Sequence, residues 1–128
     1  MKKTILFVGH RGAAAYEPEN TIRSFRAAVD LGANAVELDI RATKNGKIVV
    51  IHDSKVNRTT NGKGKVAKLT LSEIRKLDAG MEEKVPTLQE AVAWAKGRAL
   101  LLVEFKEPGL EARAVKIFQG KKNIFFSH

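Results

Sequence analysis

Strand-like and helix-like segments alternate along this sequence, which assigns it to the α/β class with a largely parallel sheet. Three observations carry that reading. Apolar runs at 4–9, 48–51 and 100–105 have the length and composition of strands. Helix-start residues stand at Asn20, Thr70 and Thr87, and Asn45-Gly46 marks a hairpin between two of the strand segments.

The run at 4–9, rich in Ile, Phe and Val, suits a strand buried on both faces and closes on His10-Arg11-Gly12. Asn20 is placed to cap a helix in which Ile22, Phe25 and Val29 share one face, and Gly32 supplies a left-handed stop after Leu31. A strand opens at 35–40, and 48–51 returns after the hairpin turn. From 54 to 85 the sequence is polar and contains Asn61-Gly62-Lys63-Gly64. It reads as an excursion from the scaffold with one short helix, begun by a Thr70/Glu73 capping box. Thr87 and Glu90 repeat the box and open a helix to about Lys96; then come a strand at 100–105, a helix near 110–119 and strand character at 123–126.

The 128 residues fit one domain, and 44% apolar content supplies an ordinary core. Without cysteine, disulfides, thiolate metal sites and cysteine nucleophiles are excluded. The formal charge of +9 favours polyanions at low salt. Yet the basic residues are scattered and aromatics make up only 6%, leaving few stacking platforms, so a solvated basic surface is expected rather than a nucleic-acid partner. After Met1-Lys2-Lys3 the apolar run is cut by Gly9-His10-Arg11, too short for a secretory core or a membrane span. A cytoplasmic protein with no stable membrane insertion is expected.

A two-residue turn at Asn45-Gly46 sets Asp39 opposite His52, and Glu37 shares the face of Asp39 by strand alternation. Taken alone, that face reads first as the solvent-facing polar side of a hairpin. Glu104 shifts the balance, because it ends the strand Leu100-Leu101-Leu102-Val103, where a charge is costly unless paired or metal-bound. Glu37, Asp39 and Glu104 form an oxygen donor set suited to Mg²⁺ or Ca²⁺, whereas the lack of cysteine and the presence of only 3 histidines argue against zinc. Such a cation beside an arginine and a lysine matches a phosphodiester transition state, where charge builds on non-bridging oxygens. His10 suits proton transfer and Arg11 a bidentate grip on phosphate. Glu19, between Pro18 and Asn20, is open to two readings, a favourable charge at a helix start or a site residue.

His10-Arg11-Gly12, Pro18-Glu19-Asn20-Thr21, Glu37-Leu38-Asp39, Thr43-Lys44-Asn45-Gly46, His52-Asp53 and Glu104-Phe105-Lys106 occur in the order and spacing of glycerophosphodiester phosphodiesterases. On these segments the chain resembles that family from about residue 4 to 106, with looser similarity beyond. The resemblance implies a (β/α)8 TIM-barrel type fold with its site at the C-terminal strand ends. Here it implies a partial barrel of about five strands with a small inserted subdomain after the third. Because eight strands need about 250 residues, residues 1–128 are expected to form a single, C-terminally truncated domain with its insertion at about 54–85.

By the same resemblance, Glu37, Asp39 and Glu104 are the ligands of Mg²⁺ or Ca²⁺, and His10 and His52 are the acid/base pair. Arg11 and Lys106 contact phosphate, with Glu19 in support. Asn45 departs from the family's usual aspartate, but both residues suit a glycine-containing turn. The implied activity is metal-dependent hydrolysis of glycerophosphodiesters to glycerol phosphate and an alcohol. Two alternatives stand beside it: a truncated non-catalytic phosphate- and metal-binding module or a fragment that pairs with itself as a homo-oligomer, and a lysophospholipase D-type phosphodiesterase.

Overall fold

A computed structural model of the chain describes residues 5–121 and 123–127. The expected strand start at Thr4 and the closing His128 lie outside the described residues. The described strands are β1 (Val8–His10), β2 (Ala35–Ala42), β3 (Ile48–Val50), β4 (Leu100–Phe105) and β5 (Ile124–Ser127). The helices are α1 (Ile22–Asp30), α2 (Leu71–Arg75), α3 (Leu88–Ala95) and α4 (Glu111–Phe118). Strands β1, β2, β4 and β5 run parallel in that spatial order, and β3 returns antiparallel along β2. β1 pairs with β2 through residues 35–37 and β3 pairs with it through 40–42.

Alternation along the strands divides the sheet into two faces. Val36, Leu38 and Ile40 of β2, with Leu101, Val103 and Phe105 of β4, join Phe25, Ala28, Leu88 and Trp94 in the main apolar core under the helices. Glu37, Asp39 and Glu104 are therefore carried on the opposite face. Thr87 and Thr70 cap α3 and α2 through the expected capping boxes with Glu90 and Glu73. The stretch from 54 to 85 contains a 3-10 turn, Val66–Lys68, besides α2. It packs Val56, Val66, Ile74, Ala79 and Val85 against Val49 and Ile51 in a second apolar cluster.

Three local expectations are corrected. Only Val8–His10 of the first apolar run is strand, and Ile5, Leu6, Phe7 and Val8 are exposed rather than buried on both faces. Among the described residues β1 has one neighbour, β2, so one edge and part of its surface face outward. The cap of α1 is Thr21, whose hydroxyl accepts from the Ser24 amide; Asn20 sits just outside with φ at 56°. The hairpin closes at Thr43 and Lys47, not at a two-residue turn: the Thr43 amide donates to the Lys47 carbonyl at 2.8 Å. Gly46, with φ at 76°, takes the left-handed position of a three-residue turn. The observed register pairs Ile40 with Val50, and the Ile51 amide donates to the Asp39 carbonyl. His52 is thus not cross-strand from Asp39.

Phe25, fully buried 5.7 Å from the Trp94 ring, fixes α1 behind the strand ends that carry the polar face. Urea unfolding of Phe25→Ala is expected to show a loss of about 3–5 kcal/mol, with a much smaller loss for the more nearly volume-conserving Phe25→Leu.

Candidate active site

Parallel register sets the site. His10 pairs with Glu37 across β1 and β2, and Asp39 pairs with Glu104 across β2 and β4, all toward the C-terminal ends of these strands. One carboxylate oxygen from each of Glu37, Asp39 and Glu104 lies within 4.8 Å of the others. Oxygens around one Mg²⁺ or Ca²⁺ sit roughly 3–5 Å apart, given metal–oxygen distances of about 2.0–2.6 Å, so the three fit a hard cation. A second feature supports the fit: Asp39 is 1% exposed, and its Oδ1 is buried without a hydrogen-bond partner. Its Oδ2 accepts from the Asn20 side-chain Nδ2 at 3.0 Å, which orients the carboxylate.

Electrostatics follow from the crowding. Burial first, then the charge of Asp39 and a hydrogen bond shared with Glu104, push Glu37 up to about 7. Glu104 moves down, chiefly because Lys106 Nζ donates to it at 2.9 Å. Lys106 also stands 3.9 Å from Asp39 Oδ1. Arg11 lies across the cluster: its backbone amide donates to Glu37 at 3.3 Å, its Nε is 3.5 Å from Asp39, and its Nη1 donates to Glu19 at 3.2 Å. For Glu19, burial raises the pKa, but Arg58, Arg11 and His52 outweigh it and the net shift is downward.

Of the residues expected from sequence, Glu37, Asp39, Glu104, Arg11, Lys106 and Glu19 are brought together. His10 stands at the rim, 68% exposed, with Nε2 3.9 Å from Glu37. His52 arrives by another route than the expected hairpin pairing. It lines a small crevice with Glu19 and Asn20, and its Nδ1 lies 2.8 Å from Asp53. Three further contributors lie beyond the residues expected from sequence: Asn20, whose sequence position suggests a helix cap; Asp53, whose sequence signal is only its place beside His52; and Arg58, which carries no local signal within the polar excursion.

An open, barrel-type α/β sheet with a cation-competent carboxylate cluster, an arginine and a lysine at its strand ends defines the class. The family model for the glycerophosphoryl diester phosphodiesterase family matches residues 10–125, and the chain belongs to that family. A glycerophosphodiester phosphodiesterase from Caldanaerobacter subterraneus is 44% identical over 124 residues, covering 87% of this chain and 51% of that protein. One from Bacillus subtilis is 40% identical over 137 residues, covering 92% and 47%. The chain spans about half the length of the curated bacterial relatives it matches.

Solved structures agree on the TIM-barrel fold. A glycerophosphodiester phosphodiesterase from Agrobacterium tumefaciens superposes with a TM-score of 0.88 at 35% identity, covering 97% of this chain and 58% of that one. An Oleispira antarctica phosphodiesterase in complex with the product sn-glycerol-3-phosphate gives 0.88 at 32%, covering 95% and 56%.

The raised Glu37 makes a pH prediction for the chain in EDTA. A carboxyl whose folded pKa exceeds its unfolded value of 4.5 contributes stability that is complete below pH 4.5 and lost as pH rises through about 7. Urea midpoints of wild type are therefore expected to fall relative to Glu37→Gln between those limits and then level off. A constant difference across the window would contradict the shift.

Proposed function

We propose that the protein hydrolyses glycerophosphodiesters to glycerol phosphate and an alcohol, with Glu37, Asp39 and Glu104 holding Mg²⁺ or Ca²⁺. The observation that carries the reading is the convergence of those three carboxylates within 4.8 Å at the ends of parallel strands. The product complex of the Oleispira antarctica relative supports the substrate class. A bound divalent cation would supply Lewis-acid polarisation of the phosphate oxygens.

The chain's own residues supply the rest. Arg11 and Lys106, both turned onto the carboxylate face, offer positive charge to the non-bridging oxygens, Arg11 through a planar fork. His10 and His52 form the acid/base pair: one takes the proton of the nucleophile, and the other protonates the oxygen of the leaving alcohol; a water nucleophile gives glycerol phosphate directly, whereas the neighbouring glycerol hydroxyl gives a cyclic phosphate that water then opens. Glu19 steadies the Arg11 guanidinium.

We infer also that residues 1–128 belong to a single such domain, with 54–85 an insertion. Four parallel strands of the eight in a closed barrel support this, as does the second apolar cluster around Val56 and Ile74. A second reading is favoured by the open sheet, whose outer strands expose Val8 on one side and Phe125 and Phe126 on the other. Under it the chain pairs with another chain before, or instead of, turning over substrate. A lysophospholipase D-type activity uses the same polar groups and differs only in the substrate that the pocket accepts.

Purified protein with glycerophosphocholine and Mg²⁺ or Ca²⁺ is expected to release glycerol phosphate, with release lost in EDTA and in Glu37→Ala. Each of His10→Ala and His52→Ala should lower turnover about 10²–10⁴-fold; full activity in both contradicts the acid/base assignment. Turnover that rises more steeply than chain concentration, with dimers in sedimentation, selects the pairing reading. Preference for lysophospholipid over glycerophosphocholine selects the third.

A further inference from the structure

We propose that Arg58 is a positioning residue, clamping Asp53 and Glu19 so that His52 holds its Nδ1 proton on Asp53 and turns Nε2 toward the phosphodiester. This rests on the proposed hydrolysis for its purpose, but its geometry stands independently. Arg58 Nε and Nη2 donate to Asp53 Oδ2 and Oδ1, both at 2.9 Å. Its Nη1 and Nη2 donate to Glu19 Oε1 and Oε2, at 2.8 and 3.0 Å. One guanidinium thus grips two carboxylates, each through two parallel bonds. A lysine ammonium is a single point of charge and cannot span both.

Each carboxylate leads to a different part of the site. Glu19 also accepts from Arg11, which faces Asp39. Asp53 Oδ1 is 2.8 Å from His52 Nδ1. A carboxylate held at Nδ1 fixes the tautomer in which Nδ1 carries the proton, leaving Nε2 free to accept one. The His52 main chain is held as well, because Arg41 Nε from β2 donates to its carbonyl at 2.8 Å. Charged groups around His52 are thus Asp53 at Nδ1, Glu19 across the crevice and Arg41 at its main chain, with Arg58 acting through the two carboxylates. The chain Arg11–Glu19–Arg58–Asp53–His52 ties the proposed phosphate grip to the proposed acid/base.

The competing reading is an ordinary surface ion pair, since the Arg58 side chain is 50% exposed and such pairs contribute little to stability. Two features count against it. Glu19 is only 15% exposed, and four hydrogen bonds from one half-exposed side chain lock geometry at two functional neighbours. Asp53 is also pulled well below the usual carboxylate range, first by its bonds from Arg58 and then by His52, so it stays an acceptor for the ring.

The test is the tautomer of His52, read from the long-range ¹H–¹⁵N correlations of its imidazole in the folded, ¹⁵N-labelled protein above its titration. Wild type is expected to carry the proton on Nδ1. Asp53→Asn and Arg58→Ala are expected to shift His52 toward the Nε2-protonated form of free imidazole, with the His10 pattern unchanged. If Arg58→Ala does not fold, Arg58→Lys replaces it, with the same shift expected. An Nε2-protonated His52 in wild type, or an unchanged tautomer in the folded Arg58 variant, overturns the proposal.

In the turnover assay Asp53→Asn is expected to lower kcat about 10- to 100-fold. Absence of turnover in every protein, wild type included, would count against the hydrolysis reading and leave the tautomer result to decide the role of Arg58.

Discussion

Three carboxylates within 4.8 Å of one another set the terms for everything around them. At an effective dielectric of 20, each pair of full charges at that spacing repels by roughly 3–4 kcal/mol. Domain stabilities are typically about 5–15 kcal/mol, so the cluster cannot stand ionised and uncompensated. The protein divides the compensation. Glu37 retains a proton up to about pH 7, Glu104 takes a hydrogen bond from Lys106, and Asp39 is held by the Asn20 amide with Arg11 beside it. What these leave open is a buried oxygen, Asp39 Oδ1, with no hydrogen-bond donor. A hard divalent cation bound there would offset two of the three charges and give Asp39 Oδ1 a partner, which is the argument for proposing a metal site rather than a solvated acidic surface.

The fold makes that crowding affordable by placing it on rigid elements. β2 is the central ribbon: it pairs on one side with β4 and on the other with β1 and then β3, so Glu37 and Asp39 cannot move apart without breaking the sheet. Alternation sends Val36, Leu38 and Ile40 into the helix-covered core and turns the carboxylates the other way. The helices themselves do no chemistry in this arrangement. α1, through Phe25 against Trp94, keeps β1 and its loop in place, and that loop supplies Arg11, Glu19 and Asn20.

Much of this was legible in the sequence, for reasons tied to particular residues. Glu104 at the end of an all-apolar strand was conspicuous because a buried charge demands a partner. Both Thr–Glu capping boxes gave α2 and α3 their starts because capping is a local interaction. What the sequence concealed depended on distant geometry. Asn45-Gly46 suggested a two-residue turn, but the Thr43 side chain helps close a longer one by accepting from the Lys47 amide, and that single-residue change of register moved His52 off the face of Asp39. Asn20 looked like a cap, yet Thr21 does the capping while Asn20 reaches 19 residues along the chain to Asp39. Arg58 was invisible, since nothing local distinguishes it from the other scattered basic residues until the excursion folds back onto Glu19. The burial expected for the first apolar run failed for a related reason, because strand burial depends on neighbours that a run of Ile and Phe does not specify.

The proposed chemistry depends on Glu37, Asp39 and Glu104 together holding one divalent cation. Mn²⁺ binding to the isolated protein, followed by the loss of its free-ion paramagnetic resonance signal, measures this without reference to turnover. One tight site per chain is expected, from which Mg²⁺ or Ca²⁺ displaces Mn²⁺ and which disappears in Asp39→Asn and in Glu104→Gln. Undiminished binding in both folded variants, or no saturable site in the wild type, would contradict it.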